Sequence, residues 1–204
     1  MTRTRTTRRL AGLAALVASA ALVLTGCVND PLAEQYREGS GKGYIAGDGS
    51  WTEVPVADRD EPVEFEGVDQ NGDPVSSEDY LGEVLVVNFW YAACAPCRAE
   101  APDLVDLSGQ YDGEGAAFLG VNVRDQADTA TSFDKTFGIP YPSIIDANDG
   151  SVKLAFSGSV PPNAVPTTIV LDAEGRIAAR IVGQLRDPSI LDTLIRDTIA
   201  ETAE

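Results

Sequence analysis

The 204-residue sequence contains no histidine. That absence excludes Ser-His-Asp and Cys-His catalysis, zinc sites built on imidazole, and haem ligation by a protein imidazole. Methionine occurs once, as the initiator Met1, which argues against a methionine-lined copper site. Basic side chains are scarce: 15 Lys and Arg face 32 Asp and Glu, a formal net charge of −17. Phosphate backbones are bound by clustered Lys and Arg, so nucleic acid is not an expected partner. Cysteine is limited to Cys27, Cys94 and Cys97. What is plentiful is apolar: 44% of residues are hydrophobic, enough for one buried core in a chain of this length. The chemistry left open runs on thiols, carboxylates, hydroxyls or a bound cofactor.

The first 27 residues read as an address. Arg3, Arg5, Arg8 and Arg9 precede an apolar stretch, Leu10 to Leu24, shorter than the roughly 20 residues a bilayer span needs. It ends in Leu24-Thr25-Gly26-Cys27, which resembles the lipobox of bacterial lipoproteins, where the cysteine is lipidated and becomes the new N-terminus. Residues 1–26 are then a lipoprotein signal peptide and Cys27 the lipidation site. Removing residues 1–26 takes four of the fifteen basic residues and no acid, leaving 11 against 32, net −21. So acidic a surface is repelled by anionic lipid, and the membrane is reached through the lipid anchor only. The expected location is the cell membrane, facing outside the cytoplasm. Lipidation of Cys27 also leaves Cys94 and Cys97 as the only free pair.

Residues 27–60, rich in Gly, Asp, Glu and Ser, are expected to be a flexible or extended linker, in which Trp51 to Val56 either adds a short strand or packs on the domain. The domain itself is assigned to residues 61–204. Val63 to Val68 alternates like an edge strand, Asn71-Gly72 signals a hairpin turn, and Val75 begins the return. Val84 to Trp90 is an apolar run broken only by Asn88, which predicts a central buried strand. A helix is expected from Pro96 to about Tyr111, kinked by Pro102, then a strand over Ala117–Val123. A second helix spans Ala127–Phe137 and ends at Gly138. A short strand (Ser143–Asp146) and a short helix (Val152–Phe156) follow. Strands at Thr167–Leu171 and Ile177–Val182 flank a turn at Ala173-Glu174-Gly175, and Asp187-Pro188 opens a final helix. This order predicts an α/β sheet with mixed strand directions.

Cys94-Ala95-Pro96-Cys97 follows the buried strand and opens a helix. The unpaired N–H groups and positive dipole end of a helix N-terminus stabilise a thiolate. The first thiol is expected to be exposed and to attack; the second, more covered, is expected to resolve. Half a zinc site would need two more ligands, and there is no other free cysteine and no histidine. A purely structural disulfide across so short a loop would stabilise little. Dithiol–disulfide exchange is the remaining reading.

The stretch Asn88-Phe89-Trp90-Tyr91-Ala92-Ala93-Cys94-Ala95-Pro96-Cys97-Arg98-Ala99-Glu100-Ala101-Pro102 resembles the active site of thioredoxin-fold proteins of the TlpA/ResA-like branch. The resemblance covers roughly residues 62–200. It includes the hairpin Pro62 to Gly82, which ordinary thioredoxin lacks, and Val165-Pro166-Thr167-Thr168, which looks like the family's cis-proline loop. It implies an α/β thioredoxin-like fold with an N-terminal β-hairpin and a central αβ insertion near residues 127–146. It further implies a thiol–disulfide oxidoreductase without cofactor, acting as a reductant on protein disulfides, with apocytochrome c as substrate. A membrane thiol transporter of the CcdA type would be the electron donor. Cys94 would be the nucleophile, Cys97 the resolving thiol, and Glu100 a carboxylate that shuttles the Cys97 proton. Trp90, Ala95, Pro96, Val165 and Pro166 would form the substrate site, with Trp90 more core and pocket wall than a binding residue in its own right.

From spacing alone, Glu100 reads first as an early-helix acid favoured by the dipole, and it is the resemblance that implies the proton-shuttling role. Asn88 stands where thioredoxin has a buried aspartate, which leaves more of the proton handling to Glu100. Tyr91 and Ala93 stand where the family often has a small residue and a tryptophan. Two alternatives share the fold: an oxidant of exported proteins, and a peroxiredoxin. The peroxidase reaction wants Thr or Ser three residues before its cysteine, where this chain has Tyr91, and no distant resolving cysteine exists.

Overall fold

The computed structural model describes residues 48–158 and 164–202. The proposed signal peptide, Cys27 and Val160–Asn163 of the segment before Pro166 lie outside the described residues. In chain order the strands are β1 (Asp48–Glu53), β2 (Glu66–Val68), β3 (Pro74–Ser76), β4 (Val84–Trp90), β5 (Ala116–Asn122), β6 (Ser143–Ile145), β7 (Thr167–Leu171) and β8 (Ile177–Gly183). The α-helices are α1 (Ala95–Gln110), α2 (Ala127–Phe137), α3 (Ser151–Ala155) and α4 (Pro188–Thr202). Six strands form one sheet in the order β1-β8-β7-β4-β5-β6. β4, β5 and β6 run parallel, while β7 and β8 reverse and β1 pairs antiparallel with β8.

All seven residues of β4 are buried because both faces of the sheet are covered. Side chains alternate across a strand, so Val84 and Val86 meet Leu104 and Leu107 of α1 and Leu191, Leu194 and Ile195 of α4. Leu85, Val87 and Phe89 point the other way, onto Phe65, Val75, Val152 and Phe156. α2 packs against the end of β4, with Ala130 and Phe133 beside Trp90 and the cysteines. α2 ends where expected: Gly138 takes φ 74°, a left-handed conformation strained for other residues, and its N–H donates to the Asp134 carbonyl at 2.7 Å. Pro102 lies inside α1.

Two expectations change. The strand expected over Val63–Val68 is shorter. Only Glu66–Val68 is strand, and it pairs with β3 in a separate two-stranded sheet. The hairpin lies against β6: Asp69 bridges Ile144, the Gln70 N–H donates to the Ser143 carbonyl, and the Ser143 N–H donates to Gln70 Oε1. Phe65, just before β2, is thereby pulled into the core. β1 lies within residues 27–60, the stretch read as linker, so of the two options for Trp51 the strand forms, with Trp51 opposite Ile181. Among the described residues no helix is long and apolar enough to cross a membrane.

Candidate active site

Parallel pairing of β4 with β5 places Trp90 opposite Asn122, so the loops leaving both strands emerge side by side. The second holds the first. Asp125 Oδ2 accepts from the Ala92 N–H at 2.6 Å and from the Asn122 amide at 3.0 Å, while Asn122 Oδ1 accepts from the Arg124 and Asp125 N–H groups. The Tyr91 carbonyl accepts from the Cys94 N–H, turning the chain into α1. Cys94 is the N-cap, with its Sγ accepting from the Cys97 N–H at 3.2 Å. The two cysteines form a disulfide, with Cα atoms 5.3 Å apart.

The expected contrast in exposure is absent from the disulfide form. Cys94 is 2% exposed and Cys97 3%. Bonded sulfurs shield each other, and Tyr91, Ala92 and Val165 pack around them. The distinction lies in direction: Cys97, and not Cys94, lines a small, partly open cavity of about 10 Å³ with Asn88, Trp90 and Ser143.

Glu100, one turn after Cys97, is fully buried. Its Oε1 accepts from the Asn88 amide at 3.0 Å and its Oε2 from the Leu185 N–H at 2.8 Å. The second Asn88 hydrogen goes to Thr168 Oγ1. Burial pushes the Glu100 carboxyl up to about 7, against the two hydrogen bonds that pull it down, with a smaller upward push from Asp103. An acid only favoured by the helix dipole would sit in solvent; this one is built into the core and bonded to Asn88, which lines the same cavity as Cys97.

Of the residues expected at the substrate site, Trp90 is the one turned into the core, as its reading as pocket wall anticipates. It is buried, donates to Ser143 Oγ at 3.2 Å and stacks against Phe133 with ring centroids 4.3 Å apart. Its parity along β4 turns it inward, so it forms the cavity wall. Ala95 is exposed, and Pro96 and Val165 are half-buried beside the cystine. The Val165–Pro166 peptide is cis; Pro166 is buried and its carbonyl accepts from the Gly183 N–H. Two guanidinium groups lie over aromatic rings nearby, Arg124 over Tyr91 at 4.1 Å and Arg98 over Phe137 at 5.1 Å.

Asp125, Leu185 and the cavity residues Asp134, Tyr141 and Ser143 were not singled out from sequence. Only Asn122-Val123-Arg124-Asp125 carried a local signal, a side-chain turn after a strand. Among the described residues no group of three or more Cys, Asp or Glu side chains is placed to hold a metal ion.

Comparison with known proteins places this geometry. The AhpC/TSA family matches residues 59–180. The chain is 37% identical over 123 residues to the thiol:disulfide interchange protein HelX of Rhodobacter capsulatus, covering 60% of this chain and 65% of that protein. It is 27% identical to the thiol-disulfide oxidoreductase ResA of Bacillus subtilis, covering 61% of this chain and 66% of the other. The chain thus spans just under two thirds of these two relatives. Among solved structures, a secreted thiol-disulfide isomerase from Corynebacterium glutamicum superposes with a TM-score of 0.65 at 30% identity, over 78% of this chain and 98% of that one.

Proposed function

The chain belongs to the AhpC/TSA family, and from that premise we propose that it is a lipid-anchored, extracytoplasmic thiol–disulfide oxidoreductase that reduces protein disulfides. The observation that carries the reading is a cystine at the start of α1 with a buried carboxyl, Glu100, one turn further along the same helix. In the reduced protein the helix N-terminus stabilises the Cys94 thiolate, which attacks a substrate disulfide. That S–S bond breaks, a mixed disulfide forms, and one substrate sulfur leaves as a thiolate and takes up a proton. Cys97 then passes its proton to Glu100 and attacks Cys94 Sγ, expelling the second substrate sulfur as a thiolate that takes up a proton from solvent, to which Glu100 releases its own. The substrate gains two electrons and two protons, and the protein is left as the Cys94–Cys97 disulfide. The inward position of Cys97 supports its role as resolving thiol, and Ala95, Pro96 and Val165 form the rim on which substrate docks.

The direction follows from charge. Strong oxidants owe their potential to a heavily stabilised thiolate. Here the motif's one cation, Arg98, is stacked on Phe137, and Glu100 contributes negative charge when ionised. The expected potential is about −200 mV or lower. Equilibration with glutathione buffers measures it, and a value near the roughly −120 mV of DsbA would make the protein an oxidant. In the same assays the Cys97→Ser variant should retain substrates as mixed disulfides and Cys94→Ser should retain none; equal trapping refutes the division of labour. The TlpA/ResA-like resemblance extends the proposal to apocytochrome c as substrate and a CcdA-type transporter as donor. Trapped apocytochrome c, and accumulation of the oxidised pair in cells lacking the transporter, would support each.

The anchor is argued from Leu24-Thr25-Gly26-Cys27, and the secreted relative supports an extracytoplasmic site. The Cys27→Ala variant should not label with fatty acid and should leave the membrane fraction. Retention after high-salt and carbonate washes would overturn the lipoprotein assignment.

A further inference from the structure

The cavity behind the disulfide holds about the space one water needs. Its polar lining is Cys97, Asn88, Tyr141, Ser143 and Asp134 of α2. Asp134 Oδ2 accepts from the Gln70 amide at 3.2 Å, but Oδ1 is buried with no hydrogen-bond partner. Among the described residues no other buried side-chain oxygen or nitrogen is left in that state. A buried carboxyl oxygen is stable when it carries a proton or receives one from a donor. Reduction of the disulfide turns Cys97, on the same cavity, into such a donor.

We propose that Asp134 is a second proton-handling carboxyl of the site, taking up the Cys97 proton across the cavity in parallel with Glu100. The proposal rests on thiol–disulfide exchange as the activity, not on its direction. During resolution the Cys97 S–H bond breaks and its proton passes to the Asp134 carboxylate. The freed thiolate attacks Cys94 Sγ, and the electron pair of the mixed disulfide leaves with the substrate sulfur. Asp134 and Cys97 share a cavity with room for one water, so the proton is relayed across it and does not pass by direct contact.

The surrounding charges are compatible with this. Burial pushes Asp134 up to about 6, against the Gln70 hydrogen bond, so at neutral pH it is mostly an ionised acceptor. Tyr141 is held protonated, by burial first and then by Glu100 and Asp134. From α1 the facing groups are Cys97 and Glu100, while Arg98 lies over Phe137, one turn along α2. Lys135, next along α2, is exposed, and the neighbouring hairpin acid Asp69 is engaged by the Asn71 and Asp73 N–H groups.

The test uses the full chain, reduced and mixed with oxidised glutathione, with formation and resolution of the mixed disulfide followed by stopped flow from pH 5 to 8. Wild type should show two inflections in the resolving rate, near 6 and near 7. Asp134→Asn should slow resolution about tenfold near neutral pH and remove the lower inflection. Glu100→Gln should remove the upper one. Gln70→Leu, which deletes the hydrogen bond that lowers Asp134 without touching the carboxyl, should move the lower inflection upward. Superimposable profiles for Asp134→Asn and wild type, or a uniform slowing with both inflections kept, would overturn the proposal, the latter marking a purely structural role. A wild-type protein inert to oxidised glutathione would overturn the exchange activity itself.

Discussion

Glu100 has two donors aimed at its two oxygens and no solvent, and the balance leaves it half-protonated near neutral pH. Its folded pKa of about 7 lies above the ordinary 4.5, so the folded chain binds this proton more tightly than the unfolded chain. The resulting stabilisation is complete below about 4.5 and is lost as pH rises through 7. At about 1.4 kcal/mol per unit, the loss is about 2–4 kcal/mol. Glu100→Gln should abolish that slope. The Gln carbonyl can accept from the Leu185 N–H, and the Asn88 amide can turn to accept from the Gln amine. Urea unfolding of both proteins from pH 4.5 to 8 checks this, and parallel curves would refute it. The place of Glu100 three residues after Cys97 is legible in sequence. Its burial is not, because the lid is Leu185, 85 residues away.

At the scale of elements, β5 was legible as an apolar run, but one of its residues has a meaning only pairing reveals. Gly120 lies opposite Ser143 of β6 and Asn88 of β4. A Cβ there would collide with Ser143 Oγ and stand 2.8 Å from Trp90 Nε1, the two atoms whose hydrogen bond closes the cavity wall. Gly120→Ala should destabilise the protein by about 1–3 kcal/mol, because neither neighbour is free to move away. Denaturant unfolding measures this, and unchanged stability would show that the wall yields. α1 and α2, by contrast, were read almost residue by residue, since a Pro near the start, a Gly after the end and apolar spacing are local signals.

Across the whole molecule, the segment after β1 is fastened to the β7–β8 turn and to the C-terminal helix. Arg59 Nη1 pairs with Asp172 Oδ2 at 3.0 Å, both side chains 3% exposed, and its Nη2 meets Glu201 of α4 at 2.7 Å. Asp172 also accepts from the Arg176 side chain and from the Glu174 and Arg176 N–H groups. Arg59→Ala leaves Asp172 held by Arg176 and two N–H groups, so it should cost the buried charge-assisted bond alone, about 1.5–3 kcal/mol. Little of that loss should depend on salt, since the pair is buried. A double-mutant cycle with Asp172→Asn measures the coupling, and additive effects would sink the assignment.

The sequence by itself determined the local matters: the cysteine pair at a strand-to-helix junction, the element order, the helix ends and the hairpin turn. Each depends on residues within a few positions of one another, through side-chain periodicity, caps or turn chemistry. Tertiary structure alone decided that the hairpin packs on β6, that Arg59 reaches Asp172, that Leu185 closes over Glu100 and that Asp134 shares a cavity with Cys97. These contacts join distant parts of the chain through strand order and packing, and no local pattern encodes which distant partner arrives.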